Sequence, residues 1–131
     1  MSTPLLTVTP LYATGLTVLF LILTFNIIKL RNKHRVALLD GGVPDLQRAI
    51  RIHANFIEYV PLCLILLAFA ELNGAASLYL HILGSILLLG RILHALSLHT
   101  RVLKMRVVAM MLTFACLVFS LILLITSSFI L

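Results

Sequence analysis

Three stretches of the chain carry no charged residue: Leu11–Ile28, Leu72–Gly90 and Val107–Leu131. At about 1.5 Å per helical residue, each run with its flanks can cross a hydrocarbon core about 30 Å thick. A fourth segment of helical length, from about Pro44 to Leu72, is polar on one face of its first half and purely apolar from Pro61 to Ala70. The composition is 62% hydrophobic and 11% charged, more apolar than a soluble domain of this length needs. These features predict an all-α membrane protein, a four-transmembrane-helix bundle. It forms one domain over residues 1–131, with helices at about 6–31, 44–72, 75–98 and 105–129.

Charge placement orients this bundle. The net charge is +6, and in a four-span arrangement all ten lysines and arginines fall at one end. That is the positive-inside pattern of a cytoplasmic face, and it replaces a nucleic-acid reading of the basic balance. Both termini are then expected on the non-cytoplasmic side of the membrane. The first apolar run lacks a positive segment before it, so it is expected to remain as an anchor rather than be cleaved. Met1–Thr9 is expected to be frayed. Asp40-Gly41-Gly42 marks a loop, and Pro44 and Asp45 suit the first turn of the second helix. Cys63 and Cys116 lie in apolar runs without a neighbouring His or second Cys, which predicts small apolar fillers and no metal site.

Within this apolar chain the stretch Arg48–Pro61 stands out, because it carries Arg48, Arg51, His53, Asn55 and Glu58. On a helix Arg51, Asn55 and Glu58 share one face. Ionisable groups within a span cost about 3 kcal/mol each on insertion scales, so a cluster of them marks a site. Pro61 removes one backbone donor and predicts a local bend. Arg91 and His94 at the end of the third helix and Arg106 at the start of the fourth reach the same depth. Glu58 is the one acid expected there as an internal counter-ion. A surplus of guanidinium groups over carboxylates predicts an anionic ligand, bound through the planar fork of arginine. Arg101 and Lys104 are expected to form a solvated rim touching anionic lipid, His53 and His81 to be structural, and Asn26 to be an interfacial or packing amide. Gly84, Ser85 and Gly90 would allow close helix approach.

The run Arg51-Ile-His-Ala-Asn55-Phe-Ile-Glu58-Tyr59-Val-Pro61 resembles the RxxxNxxExxP signature of the MAPEG proteins, the membrane-associated proteins of eicosanoid and glutathione metabolism. The four-span plan and Gly90-Arg91-x-x-His94 are similar to that family over essentially the whole chain, and most like its small bacterial inner-membrane branch. The resemblance implies a homotrimer of four-helix subunits that binds glutathione between neighbours, toward the cytoplasmic side. Glutathione would be the thiol co-substrate, used on a lipophilic small molecule in the membrane lipid. Carried over by position, Arg51, Asn55, Glu58 and Tyr59 would hold glutathione, with Arg48, Arg91 and His94 as further contacts. Arg106 would be the catalytic residue that stabilises the thiolate. The chemistry agrees: arginines suit the two carboxylates, Glu58 the ammonium, and an arginine at a helix N-terminus lowers a thiol pKa.

The implied activity is a glutathione-dependent transferase or peroxidase. The alternative is a non-catalytic glutathione- or lipid-binding protein of the same fold. Family enzymes often carry tyrosines past the third-helix motif, where this chain has Ala95, Leu96 and Leu98, with His99 the nearest substitute. A small proton-coupled exporter would need an acid in the first span, and Leu11–Ile28 has none.

Overall fold

The structure is a computed structural model that describes residues 5–129. Four helices follow one another: α1 (Thr9–His34), α2 (Pro44–Leu72), α3 (Ser77–Thr100) and α4 (Leu103–Phe129). All four are long and apolar enough to cross a membrane. They run up and down in chain order, so the start of α2 meets the end of α3 through Asp45 and Arg101, and the start of α1 meets the end of α2. Among the described residues α1 and α4 do not touch, while α2 and α3 each pack against both.

The helix ends follow from local chemistry. α1 runs to His34, past the expected Arg31, and stops where Arg35 adopts a left-handed backbone (φ 55°) with its N–H bonded to the Arg31 carbonyl. The Arg31 guanidinium then clasps the following loop by donating to the Leu39 carbonyl at 2.8 Å. Asp40 accepts from the Gly42 N–H at 2.9 Å, and α2 begins with Pro44 at its first position. α2 continues through Pro61 without a break. Of the expected frayed segment, Met1–Pro4 lies outside the described residues, but Thr7–Thr9 is firmly held. The Glu71 carboxylate accepts from the backbone N–H groups of Thr7, Val8 and Thr9 at 2.6–2.8 Å. It supplies from another helix the N-terminal cap that Val8 cannot provide. The expected fourth run to Leu131 is helical to Phe129, and its last two residues lie outside the described set.

The buried layer joins Leu16 and Leu23 of α1, Phe56, Val60, Cys63 and Leu67 of α2, Leu80 and Leu87 of α3, and Cys116 of α4. Both cysteines are fully buried free thiols. Two close approaches depend on glycine. A Cβ on Gly84 would meet the Tyr12 ring at 2.4 Å, and one on Gly90 would meet the Ala109 carbonyl at 3.3 Å and the Leu112 Cβ at 3.1 Å. α4 is built inside out: Ala109, Thr113, Cys116, Ser120 and Ser127 are buried, whereas Met111, Phe114, Phe119 and Ile122 point outward. Lipid tails are as apolar as leucine, so nothing drives the large side chains inward and small residues occupy the helix contact.

His53 and His81 are structural. His53 Nε2 bonds Thr24 Oγ1 at 3.0 Å and its ring stacks near Phe20. His81 joins Tyr12 and Ser85, the Tyr12 hydroxyl lying 3.0 Å from His81 Nδ1, the His81 carbonyl and Ser85 Oγ.

Candidate functional site

At the basic end, the first half of α2, the last turns of α3 and the first turn of α4 enclose a cleft of about 200 Å³. Its walls bring Arg48, Arg51 and Arg106 together, with Gln47 and Ser97 beside them. Arg51 and Arg106 are exposed and Arg48 is half-buried. Arg106 sits in the first turn of α4, which contains no acid, so the helix dipole adds to its positive charge.

A second cationic group lies deeper. Arg91 is 1% exposed, and its guanidinium is held by neutral partners from three helices. Nη2 donates to Asn55 Oδ1 at 2.9 Å and lies 3.1 Å from His94 Nδ1, and Nη1 donates to Thr113 Oγ1 at 3.4 Å. The Phe56 ring faces the guanidinium carbon, 5.6 Å from its centroid. Arginine cannot accept a hydrogen bond, so His94 Nδ1 accepts and the ring proton sits on Nε2. His94 Nε2 and Arg91 Nε are buried donors without an acceptor, as is Arg48 Nε. Ser97, on the wall of the cleft, donates to the His94 carbonyl at 2.6 Å and so ties the two layers together.

No carboxylate reaches Arg91 among the described residues. The ion pairs there are Arg48–Asp45 and Arg101–Asp45, so the internal counter-ion at this end is Asp45. This corrects the expectation placed on Glu58, which is exposed on the flank of α2 and pairs with none of the arginines. The physical reason is rotation: Asn55, half-buried, turns toward Arg91, which leaves Glu58 less than a turn further on facing out of the bundle. Tyr59 packs edge-on against Phe114 of α4 with centroids 5.4 Å apart. The structure therefore gathers Arg48, Arg51 and Arg106 on one cleft and Asn55, Arg91 and His94 in one buried network, and it leaves Glu58 apart. Arg101, expected on the solvated rim, is exposed but reaches Asp45 at 3.5 Å.

Thr113 and Ser97 were not singled out in the sequence. A signal for Thr113 was present: it lies seven residues after Arg106, hence on the same face of α4, as a polar residue within an uncharged run. Ser97 follows His94 by three and carried no comparable mark.

A bundle of four membrane-length helices, with a cationic cleft at one end and a buried, acid-free guanidinium beside it, fits a multi-pass membrane protein. The chain belongs to the MAPEG family, whose profile matches residues 9–126. It is 42% identical over 99 residues to the inner membrane protein YecN of Escherichia coli K12, an alignment covering 76% of each chain. The same identity and coverage hold for YecN of Escherichia coli O6:H1.

Proposed function

We propose that this protein is a glutathione-dependent transferase or peroxidase of the bacterial inner membrane, acting as a homotrimer on lipophilic electrophiles. The observation that carries this reading is the surplus of guanidinium groups. Arg48, Arg51 and Arg106 share a cleft beside Arg91, and Asp45 is the one acid among them. A buried ion without a counter-charge costs several kcal/mol, which a bound anion offsets. Arg51 and Arg48 take the two carboxylates of glutathione as bidentate partners. His94 Nε2–H and Arg91 Nε–H supply the donors that have no acceptor within the chain. Arg106 holds the thiolate with the help of the α4 dipole, and being always protonated it stabilises charge without taking the proton. In conjugation the sulfur–carbon bond forms as the leaving group departs. In peroxide reduction two thiols become a disulfide while the hydroperoxide yields an alcohol and water. Association into a trimer covers the exposed Arg51–Glu58 flank of α2, and it brings Glu58 of one copy to the ammonium of a ligand held by its neighbour. MAPEG membership and the inner-membrane name of the relatives support the location and the thiol.

Calorimetry with glutathione, then turnover with a chlorinated aromatic compound and with a lipid hydroperoxide, tests the reading. Arg51→Ala is expected to weaken glutathione about tenfold or more, and Arg106→Gln to lower kcat about 100-fold with little change in affinity. No turnover with glutathione bound would move the protein to the non-catalytic reading. One observation favours that reading: beyond His94 the chain presents Ala95, Leu96 and Leu98, so no phenol stands near the thiol position on α3.

A further inference from the structure

On the side of α3 away from the arginine cleft, two adjoining hollows lie between α1 and α3. The first, about 230 Å³, is polar and sits at the basic end, where Asn26, Asp45, His99 and Arg101 line it. The second, about 220 Å³, runs on along the helices between Ile22 and Leu23 of α1 and Ile92 and Leu96 of α3. They share Asn26, Leu98 and His99, so they form one continuous slot with a charged head and an apolar tail. Its walls face outward: Ile22 is 59% and Leu96 46% exposed. Thus the slot opens sideways, at the depth where the apolar spans give way to the basic end.

The charges at the head are arranged in a particular way. Arg48 and Arg101 both reach the same oxygen of Asp45, Oδ1, so Oδ2 keeps its acceptor capacity. Arg101 uses Nη2 alone in its 3.5 Å pair and has 67% of its side chain exposed, so the rest of its fork is available. An acceptor oxygen and a guanidinium fork a few ångströms apart match a headgroup with one ammonium and one phosphate. A headgroup carrying the phosphate alone leaves Asp45 Oδ2, on a side chain 57% exposed, to water.

We infer that this slot holds one membrane glycerophospholipid of the zwitterionic, primary-amine class. The phosphate lies on Arg101 with His99 and the Asn26 amide as neutral donors. The ammonium lies on Asp45 Oδ2, and the first part of one acyl chain lies between Ile22 and Leu96. The cleft of the proposed thiol site lies across α3 and meets this slot at Leu98 and through the Asp45–Arg48 pair, and the test of the slot does not depend on glutathione.

The experiment is native mass spectrometry of the full chain released from bilayers of equal parts phosphatidylethanolamine and phosphatidylglycerol. Wild type is expected to retain phosphatidylethanolamine over phosphatidylglycerol by about threefold to fivefold, the worth of one partly exposed ion pair. Asp45→Asn is expected to remove that preference while keeping total lipid. Arg101→Asn, which tolerates the left-handed backbone at this position (φ 56°), is expected to reduce both lipids. Ile22→Trp and Leu96→Trp fill the tail of the slot from exposed positions, so the bundle is kept while both lipids are lost. A photo-crosslinker at position 96 in the same bilayers should yield a phospholipid adduct. Equal retention of the two lipids by wild type, retention unchanged in the tryptophan variants, or an adduct to a second copy of the chain would each overturn the assignment.

Discussion

The two ends of this bundle handle polarity in opposite ways. At the end where α1 begins, most polar groups find a partner within the chain, with Thr9 Oγ1 the one buried side-chain atom left without one among the described residues. Glu71 takes three backbone donors, Tyr12 bridges His81 and Ser85, and Asn73 donates to Ser128 Oγ at 2.8 Å. At the basic end the arginines outnumber their acids, and three donors, on Arg48, Arg91 and His94, are buried without acceptors. One end is closed by its own hydrogen bonds. The other keeps cationic groups and buried donors that the chain itself does not match. Stability and ligand response should therefore come apart when the two ends are altered separately.

The largest effect is expected at the closed end. Glu71→Ala removes a charged acceptor from three N–H groups at once and should lower unfolding stability by about 3 kcal/mol, with or without glutathione, in detergent unfolding followed by circular dichroism. Gly84→Ala comes next, because the new methyl displaces the Tyr12 ring and its hydrogen bonds. A loss of about 2 kcal/mol is expected, again independent of ligand. At the open end the signature reverses. Arg91→Met takes away a buried charge that has no counter-ion. The ligand-free protein should then melt at or above the wild-type temperature while glutathione affinity falls about 20-fold by calorimetry. If Arg91→Met destabilises the ligand-free chain as much as Glu71→Ala does, the contrast between the ends is broken. The smallest effect is that of salt. Raising sodium chloride from about 0.05 to about 0.5 M should weaken glutathione about threefold through the exposed Arg51 and Arg106, and leave the ligand-free melting temperature nearly unchanged.

What the sequence shows of this molecule is governed by the cost of charge in lipid. The four spans are legible because a run such as Val107–Phe129 without charge has few other uses. The meeting of Arg48, Arg51 and Arg106 is legible because alternating spans must bring their basic termini to one side. Which partner each side chain selects is less so, since that depends on how each helix is rotated about its axis. Helical spacing correctly puts Arg51, Asn55 and Glu58 near one another, yet it cannot say that Asn55 turns inward to Arg91 while Glu58 turns out. The Glu71 clamp was hidden for a related reason. Its three partners are backbone groups of Thr7, Val8 and Thr9, which leave no trace in residue identity.

The Arg91 shell also bears on how the chain is made. α3 carries a single charged residue, the arginine whose partners lie on α2 and α4. During synthesis α2 emerges before α3 and α4 after it. Asn55 is thus ready to receive Arg91 when α3 leaves the translocon, but Thr113 is not. A nascent chain halted before α4 would hold a half-solvated guanidinium in the bilayer, so α3 should remain beside the insertion machinery until its successor arrives.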